Sequence, residues 1–233
     1  KRDWSSDVCS SDLAATLGNR WWRLNNLYWV QNERGEAVQF VPNIAQRELW
    51  DEQHYLTLIL KARQLGFSTF ISIFILDACL FRDDTAAGVI DITLDDVKGK
   101  LDKIRFAYDR LPPEIKKSRP LTTDNTLELA WSNGSSVRGG TSHRGGTLQI
   151  LHVSEFGKIS AQFPDKAREI RTGAFGTVHS GQMIFIESTA EGIGGDFHRL
   201  VTEAEQRQEA GKAPVAEEFK LLFFPWQIGR AHV

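Results

Sequence analysis

Leu60–Thr69 reads LKARQLGFST. It follows a short apolar run of β type, Tyr55–Leu60, and leads into Ser68–Phe81, which reads as a buried helix. A strand–turn–helix of this kind gathers backbone N–H groups into an anion-binding nest, and the positive end of the helix dipole adds to it. The usual phosphate-binding pattern is G-x-x-x-x-G-K-[ST]. Gly66 matches its second glycine, and Ser68 matches the hydroxyl that ligates Mg2+; Lys61 stands at the first glycine and Phe67 at the lysine. The cation has thus moved to the other end of the loop, from which a long side chain still reaches β- and γ-phosphates. Arg63 supplies a second positive group with a planar fork suited to phosphate oxygens. Taken alone, the segment equally fits a generic basic turn.

Outward from the loop, strands alternate with helices. Ala87–Thr93, Leu148–Val153, Met183–Ile186 and Phe219–Phe224 read as strands. Leu94–Arg110 is helical with Val97, Leu101, Ile104 and Tyr108 on one stripe, and Pro112-Pro113 ends it. Thr126–Trp131, Asn133-Gly134 and Ser135–Val137 form a hairpin pattern. Arg138–Gly146 reads as a loop rich in Gly and Arg, and Pro164–Arg171 and Asp196–Gln208 as helices. At the start, Arg20–Val41 is rich in aromatics (Trp21, Trp22, Tyr28, Trp29, Phe40), and Asn43 caps a helix over Ile44–Asp51. The pattern predicts an α/β fold: a mostly parallel central sheet flanked by helices, with residues 14–54 as an N-terminal lid and adenine-binding segment.

The 233 residues are 41% hydrophobic and 25% charged, the composition of a globular domain rather than of a disordered or collagen-like chain. With 28 basic and 30 acidic residues the net charge is −2, so nucleic acid is not implied by bulk charge and any such contact is a local patch. No apolar run is long enough for a membrane span, and no secretory signal opens the chain. Two cysteines, Cys9 and Cys79, make neither a disulfide framework nor a metal site.

Both ends lack a hydrophobic period. Asp7–Asp12 can be encoded as GAC GTG TGC TCT TCC GAT, and Ile228–Val233 as ATC GGA AGA GCA CAC GTC. These strings are reverse complements, and they resemble a sequencing-library adapter read in its two orientations. Residues 1–13 and 228–233 are therefore read as artefactual tails around a natural domain at 14–227.

The second half of the chain supplies the partners that a phosphate loop needs. Leu148–Glu155, LQILHVSE, is an apolar strand ending in Ser154 and Glu155. A P-loop ATPase places a Mg2+-holding residue at such a strand end and then a glutamate that polarises the attacking water. Ser154 stands where aspartate is usual and reaches the ion through water; Glu155 is the candidate base, with Glu187 next in line. Met183–Ile186 runs into Glu187-Ser188-Thr189-Ala190, small hydroxyl residues at a strand end that can sense a γ-phosphate. Gln46, in FVPNIAQ (Phe40–Gln46), carries an amide able to pair bidentately with adenine.

This ordered set (FVPNIAQ, LKARQLGFST, the Gly/Arg loop at Val137–Thr147, LHVSEFG, IESTAEG) resembles the ATPase domain of the large terminase subunit of tailed bacteriophages. Members of that family commonly carry a deviant Walker A loop with lysine at its start, as Lys61 does. Many have an S-E pair at Walker B, as in Ser154-Glu155, and a coupling motif like Ser188-Thr189-Ala190. The resemblance implies an ASCE-type P-loop motor that hydrolyses ATP with Mg2+ and translocates double-stranded viral DNA into a procapsid. The implied partners are the portal protein, the small terminase subunit and further copies in a homo-oligomeric ring, with no membrane. The implied place is the host cytoplasm, transiently at the procapsid portal vertex. The family's C-terminal nuclease domain is absent from this sequence, so nuclease activity is not expected.

The ATP-binding set is accordingly Gln46, Lys61, Arg63, Gln64, Gly66, Phe67, Ser68 and Thr69, with Ser68 and Ser154 toward the metal. Glu155 and Arg144 form the catalytic set, Arg144 as an arginine finger or a DNA contact; a solvated loop arginine is the alternative. His143 and His152 have no ligand partners at metal spacing and read as structural. Two other functions remain open: another P-loop DNA translocase or helicase, and a degenerate nucleotide-binding scaffold, toward which Phe67 and Ser154 lean.

Overall fold

The structure, a computed structural model, describes residues 16–143 and 146–226. The sequence readings of the two tails, and of Arg144, lie outside them.

The chain begins with helix α1 (Arg20–Asn26), a two-stranded antiparallel ribbon β1 (Trp29–Gln31) and β2 (Ala37–Gln39), and helix α2 (Ile44–Glu52). Asn43 caps α2 through a reciprocal box with Gln46, as its sequence position predicts. Then come β3 (Leu56–Lys61), α3 (Phe67–Phe81), β4 (Ala86–Ile90), α4 (Leu94–Asp109) and α5 (Pro113–Ser118). Strands β5 (Leu121–Asn125), β6 (Glu128–Trp131), β7 (Ser136–Gly140) and β8 (Leu148–Ser154) follow. Helices α6 (Phe156–Gln162) and α7 (Pro164–Glu169) pass through a π-turn at Ile170–Ala174. The described chain closes with β9 (Val178–Ser188), α8 (Gly195–Glu209) and β10 (Phe219–Phe224).

Eight strands form one sheet in the order β10-β3-β9-β8-β4-β7-β6-β5. The pairs from β10 to β7 are parallel, and β6 and β5 add an antiparallel edge. The α/β sheet expected from sequence is therefore present. Strand alternation divides its side chains between two cores. Ile59, Val89, Ile150, Phe185 and Leu222 face the core shared with α1–α4, whereas Leu58, Ile90, Leu151, Ile184 and Leu221 face the core shared with α6–α8. Helix α3 is apolar all round because it lies inside the first core, with Phe70, Ile71, Phe74, Ile75 and Ala78 all buried. The α4 stripe of Val97, Leu101, Ile104 and Tyr108 is buried as its period requires.

Three local readings are corrected. Arg138–Gly140 belongs to β7 rather than to a loop. Gly139 is needed there because a Cβ would collide with Val97 of α4. Strand β9 runs well beyond Met183–Ile186, from Val178 to Ser188. Pro112-Pro113 ends α4 but also starts α5, since Pro is well suited to a first helical turn.

Candidate active site

Ligands of open parallel sheets bind beyond the carboxyl ends of the strands. Here three neighbouring strands, β3, β9 and β8, bring Lys61, Glu187 and Ser154-Glu155 to one such edge. Strand β9 lies between the other two, so residues from three distant parts of the sequence meet.

The loop after β3 is shaped by backbone constraint. Gln64 and Gly66 both take positive φ, 65° and 74°. Gly66 is the N-cap of α3, and a Cβ there would lie 2.6 Å from Gln46 Nε2. Helix α2 braces the turn from outside: Asn43 Nδ2 donates to Leu65 O (3.1 Å) and Gln46 Nε2 to Gly66 O (2.8 Å). Gln46 Oε1 meanwhile accepts from Asn43 N. The amide edge expected to read adenine is thus engaged in holding the loop, and bidentate base pairing is not available to Gln46 in this geometry.

Phe67 explains the missing loop lysine. Its ring is buried and meets Phe224 of β10 at a 4.6 Å centroid separation. A lysine here would carry its charge into the core, so what Phe67 offers the loop is its backbone N–H, which has no intrahelical partner in the first turn. The cation sits instead at the strand end. Lys61 Nζ lies 3.3 Å from Glu187 Oε2 and 3.4 Å from Glu155 Oε1. Burial opposes its charge, but Glu187 and Glu155 outweigh that and raise its pKa. Arg63 and Gln64 are exposed at the loop tip. Thr69, in the first turn of α3, accepts from Lys103 Nζ of α4 at 3.2 Å.

Glu155 caps α6 with φ 51°, a left-handed conformation that is strained for a side-chain-bearing residue. Its side chain remains a quarter exposed, whereas Glu187 is fully buried. Glu187 Oε1 accepts from the Ser68 hydroxyl and from Ser154 Oγ (3.2 Å), and lies 3.0 Å from His152 Nε2. Burial alone would raise the Glu187 pKa. Its contacts with His152, Lys61 and Ser68 reverse that and hold it well below the usual carboxylate range. Ser188, next along β9, accepts from Gly157 N of α6 at 3.0 Å, tying the strand tip to the helix that follows Glu155. Thr189 and Ala190 continue beyond the strand.

The residues that the sequence pattern singles out, Lys61, Ser68, Ser154, Glu155 and Ser188, are brought together by the fold. Glu187, which the pattern gives only a reserve role, lies at the centre of the site. His152, which has no partner at metal spacing in the sequence, and Lys103, which no motif marks, also face it. His152 does so because it lies two residues before Ser154 on β8, a spacing visible in the sequence; nothing local marks its partner.

The donor set fits Mg2+. Its groups are hydroxyl and carboxylate oxygens, the ligands a hard cation prefers. Glu187 Oε2 is buried and faces the Lys61 ammonium at 3.3 Å. Among the described residues no three His, Cys, Asp or Glu side chains are placed to cage a metal.

No protein-family model and no curated protein matches the chain. Solved structures do. The large terminase ATPase domain of Thermus phage P74-26 superposes with TM-score 0.61 at 15% identity, covering 83% of this chain and 85% of that one. The bacteriophage HK97 large terminase gives 0.62 at 10% identity, with 88% of this chain on 43% of that one. The large terminase of a further, thermophilic bacteriophage gives 0.51 at 11% identity, covering 81% and 46%. This chain thus spans less than half of the two longer terminase chains. At such identities the likeness shows the fold alone: a mostly parallel sheet in which β3, β9 and β8 lie side by side.

Proposed function

We propose that this chain is the ATP-hydrolysing motor domain of a large terminase subunit, which drives double-stranded viral DNA into a procapsid. The observation that carries the reading is the placement of Lys61. It reaches from the start of a lysine-less phosphate loop to the carboxylate that ends the acidic strand, so the displaced cation and the candidate base share one site.

In this reading Lys61, Arg63 and the N–H groups of Gly66–Thr69 neutralise and position the phosphates. Gln46 and Asn43 keep the loop in its binding shape. Ser68, with Ser154 nearby, would hold Mg2+, which when bound neutralises charge on the β- and γ-phosphates. Glu155 orients the attacking water and accepts its proton. Its side chain is a quarter exposed and lies 3.4 Å from Lys61 Nζ. Ser188-Thr189-Ala190 carry the state of the γ-phosphate to α6 through the Ser188–Gly157 contact. Arg144 completes a neighbouring subunit's site in a ring seated on the portal, with the small subunit as a further partner. Among the described residues no helix is long and apolar enough to cross a membrane.

The test is nucleotide binding and phosphate release by wild type and Lys61→Ala, with DNA present. Wild type hydrolyses ATP, and Lys61→Ala loses on the order of tenfold or more in nucleotide affinity, as expected for a charge-assisted contact. Normal hydrolysis by Lys61→Ala with a dead Arg63→Ala would move the cation to Arg63. Binding without any phosphate release in wild type would make the chain a nucleotide-binding scaffold.

A further inference from the structure

Strand β8 ends in Ser154 at the position where a P-loop ATPase keeps an aspartate. A serine there is a poor substitute: it has no charge, and its single O–H is already donated to Glu187 Oε1. The sheet register shows where the charge went. Strands β8 and β9 are parallel neighbours, and Ser154 is paired directly with Glu187. The longer glutamate side chain, one strand over, accepts from the Ser68 hydroxyl and from Ser154 and faces Lys61. His152, from the same β8, supports its Oε1 from behind. Its Oε2 faces the Lys61 ammonium at 3.3 Å.

We infer that Glu187 is the relocated carboxylate of the metal site, a positioning residue that fixes the Ser68 hydroxyl so that its lone pairs face the cation. The inference rests on the reading of the site as a Mg2+-dependent nucleotide site. A Ser68 oxygen whose proton is held by Glu187 is oriented and made a better ligand, as outer-shell partners do at metal sites. Ser154 then serves as the small, uncharged neighbour that leaves room for Glu187; an aspartate beside it would place two carboxylates together in a buried space. Glu155 stays distinct from this pair, since it takes neither the Ser68 nor the Ser154 hydroxyl.

The experiment measures ADP affinity with excess Mg2+ and with EDTA, and takes the ratio as the readout. Wild type, Glu187→Gln and the exchange variant Glu187→Gln/Ser154→Asp are compared, each first shown to be folded by its melting curve. Whatever its affinity in EDTA, Glu187→Gln should lose about tenfold of the Mg2+-dependent tightening, the scale of outer-shell substitutions. Ser154→Asp on that background should restore it by returning the carboxylate to β8. A wild-type ratio in Glu187→Gln, or no restoration in the exchange variant, overturns the inference while leaving nucleotide binding intact. Absence of ADP binding in wild type would instead remove the nucleotide reading itself. Should Glu187→Gln fail to fold, wild type labelled with 13C at glutamate carboxyls decides. Mn2+–ADP should broaden the Glu187 signal beyond detection, and a sharp signal would overturn the inference.

Discussion

Helix α3 carries a cluster of buried charge near each end, and the two differ in one respect. Toward its C-terminal end, Asp77 is fully buried and every oxygen is engaged. Oδ1 accepts from Arg23 Nε (2.7 Å) and Tyr28 OH (2.8 Å), and Oδ2 from Arg20 Nε (3.0 Å) and Arg23 Nη2 (2.8 Å). The Arg20 guanidinium also stacks on Phe74, 3.7 Å from the ring centroid. At the N-terminal end, Glu187 is as deeply buried, but its Oε2 meets the Lys61 ammonium only at 3.3 Å, and His152 Nδ1 finds no hydrogen-bond partner. Glu155 beside it is strained. A saturated network fixes one arrangement and clamps α1 onto α3, whereas an unsaturated one keeps affinity for something else. Under the proposed function the first cluster is structural and the second belongs to the site.

The comparison breaks most visibly at Asp77. Asp77→Ala leaves Arg23 buried without its partner and should destabilise by about 3–5 kcal/mol, read by urea unfolding. The fraction that remains folded should bind ADP as wild type does; a specific loss of binding would give the clamp a functional role. Ser188→Ala leaves the Gly157 N–H buried without an acceptor and should cost about 1–3 kcal/mol, with ADP affinity kept and hydrolysis slowed. Equal hydrolysis per folded molecule would remove Ser188 from the coupling path. The smallest effect belongs to Tyr28→Phe, about 1 kcal/mol at neutral pH because Arg23 still occupies Oδ1. It also has a pH signature. Burial, and then Asp77, hold the Tyr28 phenol protonated well above its ordinary value of 10.0. Its contribution is fully present below pH 10 and declines as pH rises above 10, where the unfolded chain releases the proton and the folded one does not. Tyr28→Phe should flatten that alkaline slope in unfolding curves, and an unchanged slope would place its origin elsewhere.

What the sequence discloses follows from what local pattern can encode. The order of strands and helices is readable because α4 and α8 keep a helical period, α3 is one long apolar run, and β3, β8 and β10 are short apolar runs with clear breaks. Strand β5 is not readable: LTTDN has one apolar residue and sits on the sheet edge, so burial leaves little trace. Helix α6 escapes the pattern because it starts from a left-handed Glu155, which no residue preference announces. At the site, Lys61 and Ser154 stand out as deviations from a known pattern, and Glu155 as a match to it. Glu187 does not, because its role depends on β9 lying between β3 and β8, and strand order is set by the packing of α3 on one face and α6 and α8 on the other. Phe67 belongs to the phosphate loop by position, yet its side chain serves the core through β10, near the far end of the chain, a contact no local window contains.

The account turns on Glu155 as the group that activates water, and Glu155→Gln tests it most directly. Glutamine keeps size and shape but cannot accept the proton, and the Lys61 contact survives through Glu187. ADP and ATP binding, measured with DNA present and at high protein concentration, should therefore match wild type, while phosphate release falls by at least roughly 10², the scale of a general base. Phosphate release unchanged from wild type, in a variant that binds ATP normally, would contradict the account and take the base away from Glu155.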